Sequence, residues 1–217
     1  MSARIMTIKE NILGANAQRA DLNRTLLDSH HVRMVNIMSA PGSGKTSLIL
    51  RTIEQFKDRL RIAVIAGDVG SSIDVDRITR QSVPAFQINT AGGCHLDAQM
   101  ITKVLDSLDL DRIDLILLEN VGNLVCTADF DLGAHKNAVI LSVPEGDDKP
   151  YKYPVVFTEA DVVVVNKIDA LPHFDFKLDI FPGIIGGLNP SAKVLPVSAK
   201  TGDGMDGWYS WIEEVLA

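Results

Sequence analysis

The segment Met34-Val35-Asn36-Ile37-Met38 runs directly into Ser39-Ala40-Pro41-Gly42-Ser43-Gly44-Lys45-Thr46, and then into Ser47-Leu48-Ile49-Leu50. An apolar strand, a glycine-bearing loop and a helix start follow one another with no residue to spare. That order constrains the fold of the chain more than any other feature. Gly42 and Gly44 let backbone N–H groups turn inward with no side chain in the way. Together with the N-terminus of the following helix, these N–H groups make an anion site suited to phosphate. In such a loop Lys45 reaches the β and γ phosphates of a nucleoside triphosphate, and the Thr46 hydroxyl is a ligand for Mg²⁺. Gly42, Ser43, Gly44, Lys45, Thr46 and Ser47 are the candidate phosphate-binding residues. Ser39 stands where the pattern has its first glycine; it is small and lies at the strand end, so a modest local adjustment is expected.

The rest of the chain repeats the alternation. Short apolar runs at Ile62–Ala66, Phe86–Ile88, Leu115–Leu118, Ala138–Val143, Val162–Val165 and Val194–Val197 are separated by helical segments. With Met34–Met38 they predict an α/β fold: a mostly parallel, doubly wound sheet of about seven strands with helices on both faces. The last helix is expected over about Met205–Leu216, with Trp208, Trp211, Ile212 and Val215 facing inward. Near the other end, Ile5, Ile8, Ile12, Ala15, Leu22 and Leu26 recur at helical spacing. Residues 1–30 are therefore expected to form an N-terminal amphipathic helix lying on a nucleotide-binding domain of residues 31–217, and available to a partner.

Two further strand ends bear on the base. Val162–Val165 leads into Asn166-Lys167-Ile168-Asp169, and Val197-Ser198-Ala199-Lys200 follows the last strand. A carboxylate at the Asp169 position can accept from both N1–H and the exocyclic amine of guanine. Adenine offers no such pair, and a site built on these hydrogen bonds rejects the wrong base by about 10⁴-fold or more. Asn166, Lys167, Asp169, Ser198, Ala199 and Lys200 are the candidate base-contacting residues, and GTP is favoured over ATP. Ile62–Ala66 ends in Gly67-Asp68, and Leu115–Leu118 ends in Glu119-Asn120. Ligands of doubly wound sheets collect at the carboxyl ends of strands. Asp68 and Glu119 are thus placed to hold Mg²⁺, directly or through water, or to orient the attacking water; both roles stay open for each. Phosphoryl transfer needs mainly positioning and charge stabilisation. No arginine finger is evident, so slow turnover is expected.

Composition narrows the partners. The chain has 217 residues with a formal net charge of −7, 46% hydrophobic and 23% charged residues. An acidic balance lacks the basic face usual in nucleic-acid binders, and no apolar run approaches the ~18 residues that span a membrane. Charges at Arg4, Lys9 and Glu10 interrupt any signal-peptide core, so a cytoplasmic location is expected, with neither nucleic acid nor membrane as partner. Two cysteines are too few for a disulfide framework. Cys94 sits in Gly92-Gly93-Cys94-His95-Leu96-Asp97, and Cys126 lies in the loop expected after Glu119. If the two segments leave neighbouring strands at one sheet edge, Cys94, His95 and Cys126 converge. Two thiolates and an imidazole suit tetrahedral Zn²⁺ or square-planar Ni²⁺, and a helix N-terminus beside Cys94 would favour its thiolate. The bland alternative is two small buried hydrophobes beside a histidine at a helix start. A fourth ligand could come from solvent or from the same loop of a second copy.

Taken with Glu119-Asn120-Val121-Gly122-Asn123-Leu124-Val125-Cys126 and Glu145-Gly146-Asp147-Asp148-Lys149-Pro150-Tyr151-Lys152-Tyr153-Pro154, these motifs resemble the HypB family of nickel-delivery GTPases, over essentially the whole chain. The resemblance implies a SIMIBI-class P-loop NTPase fold, GTP/GDP binding and a homodimer when GTP is bound. It also implies a metal site at the dimer interface. The metal role maps onto Cys94, His95 and Cys126, and the Mg²⁺ and hydrolysis roles onto Thr46, Asp68 and Glu119 beside Lys45. Lys149 is implied as a contact to the partner subunit's nucleotide. The implied partners are a HypA-type metallochaperone and the hydrogenase large-subunit precursor. Some members carry an N-terminal cysteine motif or a histidine-rich tract. The residues before Met34 hold no cysteine and only His30 and His31, so tight N-terminal capture and bulk storage of nickel are not expected here. Three alternatives remain: a related GTPase serving urease, which typically spaces its cysteine and histidine by one residue; a metal-binding protein with nucleotide as a structural ligand; and a P-loop kinase.

Overall fold

Each of the seven apolar runs is a strand. The computed structural model describes residues 8–68, 78, 80–81 and 83–217. The strands are β1 (Arg33–Ser39), β2 (Ile62–Asp68), β3 (Ala85–Asn89), β4 (Leu115–Gly122), β5 (Lys136–Ser142), β6 (Val162–Asn166) and β7 (Lys193–Pro196). The described α-helices are α1 (Ile8–Ser29), α2 (Lys45–Phe56), α3 (Ala98–Leu105), α4 (Lys149–Lys152), α5 (Pro154–Thr158), α6 (Phe181–Leu188) and α7 (Met205–Leu216). Every strand pair is parallel, in the order β3-β2-β4-β1-β5-β6-β7. From β1 the chain builds one side of the sheet through β2 to β4 and then the other through β5 to β7. A crevice therefore opens at the carboxyl end of β1, where the phosphate loop begins.

Strand alternation separates the two faces. Val35 and Ile37 of β1 and Leu115 and Leu117 of β4 pack with α2 and α7, whose Trp208, Trp211, Ile212 and Val215 are buried as the spacing predicts. The Trp208 indole donates to Thr52 Oγ1 at 2.8 Å, so α7 is pinned to α2 by a fully buried bond. On the opposite face, Met34, Ile116 and Leu118 pack with α3 and the end of α1, while Met38, Leu141, Val163 and Val165 pack with α5 and α6.

Helix α1 lies on the domain by a face other than the expected apolar one. Its buried positions are Asn16, Ala20, Asn23 and Leu27, whereas Ile12 and Leu22 are 53% and 59% exposed. The two asparagines are bonded to backbone at the start of α3 and in the loop before β5. Asn16 Oδ1 accepts from Ala98 N at 2.8 Å, and its Nδ2 donates to the Asp131 carbonyl at 2.7 Å. Asn23 Nδ2 donates to the Ala98 and Leu132 carbonyls, and its Oδ1 accepts from Thr102 Oγ1. Buried amides survive there because each finds partners. Ile5 lies outside the described residues, as does the side chain of Ile8.

Candidate nucleotide and metal sites

The phosphate loop is held in shape by its own polar groups. Gly44, the N-cap of α2, has φ +105°, and a Cβ there would stand 2.3 Å from Asn166 Nδ2. Ser43 Oγ donates to the Ala40 carbonyl. Lys45 Nζ donates to Ser39 Oγ at 2.9 Å, so the serine in the first glycine position gives the ammonium a partner. Thr46 Oγ1 donates to Glu119 Oε1 at 2.8 Å, with both residues buried. Glu119 lies within β4 rather than after it, because the strand continues to Gly122 with Ser39 opposite Gly122. Asp68 is the last residue of β2; the position of its side chain lies outside the described residues.

The candidate base loops are knitted to the phosphate loop. Asn166 Nδ2 donates to the Ser43 carbonyl at 2.8 Å, while its Oδ1 accepts from Lys167 N and Ala199 N. Lys167, in the left-handed region at φ +64°, directs its ammonium to the Gly42 carbonyl at 2.7 Å. Asp169 Oδ1 accepts from Ser198 Oγ at 2.7 Å, and Lys200 Nζ stands 4.0 Å from Asp169 Oδ2. Arg51, which motif reading missed, donates to the Ala199 and Lys200 carbonyls from α2 and lines a shallow depression with Ser47 and Ala199. No motif marks it; its role follows from the approach of α2 to the last strand. Lys149 opens α4, with its ammonium 5.7 Å above the Tyr153 ring.

Cys94, His95 and Cys126 do converge: one ligand atom from each lies within 4.8 Å of the others, and Cys94 Sγ is 3.6 Å from His95 Nδ1. Metal–sulfur and metal–nitrogen bonds of about 2.3 and 2.0 Å place ligand atoms at such separations, so the set fits a thiophilic divalent cation. His95 is braced by the Phe130 ring, stacked with centroids 3.9 Å apart. Two expectations are corrected. The loops do not leave neighbouring strands, since β2 lies between β3 and β4. The first loop crosses the end of β2 because Gly67 has no side chain: a Cβ there would meet Leu96 at 2.7 Å. Nor does a helix N-terminus favour the Cys94 thiolate. α3 begins at Ala98 and its N-cap is Asp97, whose carboxylate accepts from Met100 N. The Cys94 thiol is instead pushed up, first by its hydrogen bond with Cys126, then by desolvation and by the charge of Cys126.

The family model for the CobW/HypB/UreG nucleotide-binding domain matches residues 33–196. The hydrogenase maturation factor HypB of Azotobacter vinelandii is 47% identical over 211 residues, covering 97% of this chain and 70% of the relative. The crystal structure of HypB from Archaeoglobus fulgidus superposes with a TM-score of 0.88 at 40% identity, covering 94% of this chain and 100% of that one. HypB from Helicobacter pylori, solved in complex with nickel, has a TM-score of 0.87 at 36% identity, covering 93% and 95%. With the phosphate loop, the all-parallel sheet and the Cys–His group in place, the chain belongs to the CobW/HypB/UreG nucleotide-binding family and, within it, to the HypB hydrogenase maturation factors.

Proposed function

We propose that residues 31–217 form a GTPase that carries nickel during maturation of [NiFe]-hydrogenase, preceded by the helix Ile8–Ser29. One observation supports the reading most: Thr46 bonds to Glu119 on β4, and the same strand leads from Gly122 into the loop of Cys126. A single strand thus joins the candidate γ-phosphate side to the candidate metal side. Residues Gly42–Ser47 cradle the phosphates, with Asn166, Lys167 and Asp169 holding guanine together with Ser198, Ala199 and Lys200. Water attacks the γ-phosphorus as the bond to the β–γ bridging oxygen breaks, and Lys45 offsets the charge that develops on the phosphoryl oxygens. Mg²⁺, when held by Thr46 with Asp68 and Glu119, supplies further charge neutralisation there. Asp68 or Glu119 orients the water, and turnover by the isolated chain is slow.

Cys94, His95 and Cys126 take the cargo ion, Ni²⁺ or Zn²⁺, with the set completed at the interface of a GTP-bound homodimer. Lys149 reaches the partner subunit's nucleotide. A HypA-type metallochaperone exchanges the ion and the hydrogenase large-subunit precursor receives it. A shallow groove lined by Ile12, Ala15, Arg19 and Phe130 beside His95 gives a metallochaperone an approach to the ligands. The test is turnover of GTP against ATP by the unaltered chain and by Lys45→Ala. Selective GTP hydrolysis that falls by about 10²-fold or more in the variant is expected, the scale for losing a group that stabilises transition-state charge. Unchanged hydrolysis in the variant would leave nucleotide as a structural ligand only.

A further inference from the structure

One side chain with no part in that scheme touches both cysteine loops. Asn123 is the first residue beyond β4. Its Nδ2 donates to the Cys94 carbonyl at 3.3 Å. Its Oδ1 accepts from Val125 N at 2.7 Å and from Cys126 N at 3.3 Å. Its own carbonyl accepts from Thr127 Oγ1 at 2.6 Å, which anchors the turn that carries Cys126. The partners fix the orientation of the amide: two N–H groups face its oxygen and a carbonyl faces its nitrogen, so the flipped amide would satisfy neither side. An aspartate could make the acceptor bonds but not the donor bond, and an apolar side chain could make none.

This bond set supplies what the sheet does not. β3 and β4 are separated by β2, so no ladder hydrogen bond registers the Cys94 loop against the Cys126 loop. Their thiols belong to separate loops, one exposed and one half-buried. A short polar side chain at the base of the second loop, bonded to the backbone of the first, sets their separation before any ion arrives.

We infer that Asn123 is a positioning residue of the metal site, holding Cys94 and Cys126 at ligating distance; the inference rests on the metal reading proposed above. Outer partners of metal ligands typically account for about 10–100-fold in affinity, and Asn123 supports the backbone of two ligands at once. Nickel chloride titrated into the unaltered chain, Asn123→Ala, Asn123→Asp and Cys126→Ala tests it. Affinity is read by competition with a chromophoric chelator, and ligand geometry from the thiolate-to-nickel charge-transfer absorption. Asn123→Ala is expected to weaken binding by about 10–100-fold and to alter the charge-transfer band. Asn123→Asp, which keeps the bonds from Val125 N and Cys126 N but sets a carboxylate against the Cys94 carbonyl, is expected to lose at least as much, because the link between the two loops is gone. Unaltered affinity and spectrum in Asn123→Ala, or wild-type affinity and spectrum in Asn123→Asp, would overturn the inference while Cys126→Ala still loses binding. Undiminished nickel stoichiometry in Cys126→Ala would overturn the metal reading itself.

Discussion

Gly44 shows how tightly single residues are committed at the phosphate loop. Its backbone is left-handed, and the Asn166 amide occupies the space a methyl group would need. That amide ties Ser43 on one side to Ala199 on the other. Gly44→Ala combines a strained backbone, worth about 1–3 kcal/mol, with displacement of the residue that joins the phosphate and base loops. A fluorescent guanine nucleotide should bind the variant about tenfold more weakly or worse; wild-type affinity would contradict the proposed nucleotide site. The same economy is visible at Ser39. A residue that departs from the glycine pattern accepts the Lys45 ammonium, so the departure is absorbed within the loop.

At the scale of elements, α1 is held by polar contacts as much as by apolar ones, and one of them titrates. His135, just before β5, accepts from Met34 N through Nδ1 at 2.9 Å and faces Asp28 of α1 through Nε2 at 3.2 Å. Because Nδ1 accepts a backbone N–H, the neutral ring with its proton on Nε2 is the form that satisfies both partners. Burial pushes the His135 pKa below its ordinary 6.5; Asp28 opposes the shift, and the charges of Arg33 and Arg24 add to it. The unfolded chain therefore binds this proton more readily than the folded one. The contribution is fully present above about pH 6.5 and is lost as pH falls through the lower folded value. Urea unfolding between pH 7.5 and 5 should show this slope in the wild type and a shallower one in His135→Gln. Equal slopes would contradict the assignment.

Elements also differ in how far the sequence revealed them. α7 was legible because its bulky apolar groups fall at 3.6-residue spacing and all turn inward. The packed face of α1 was not, because asparagines form it and the exposed Ile12 and Leu22 mimic a core stripe. The sequence marks β4 only as far as Leu118, because Glu119 and Asn120 look like loop residues. Yet both are buried, Glu119 beside Thr46 and Asn120 bonded to Asn36 of β1. The cysteines and His95 were legible as ligand types. Their convergence across β2 depended on the bare Gly67 backbone and on the Asn123 amide, neither of which has a motif.

In the whole molecule, the phosphate loop, the base loops and the Cys–His group all lie at the carboxyl edge of one sheet. β4 carries Glu119 toward the first of these and leads to Asn123 and Cys126 at the last. Under the proposed function, a shift of Glu119 on exchanging GDP for GTP would pass along this strand to Asn123 and Cys126, so nickel binding would depend on the nucleotide. Because the chain offers three ligands and the GTP form is proposed to be a dimer, affinity and mass should change together. The most direct measurement titrates Ni²⁺ into the protein loaded with GDP or with a non-hydrolysable GTP analogue while molecular mass is followed by light scattering. Tighter nickel binding and a dimer mass with the analogue are predicted; the same affinity and the same mass in both nucleotide states would contradict the account.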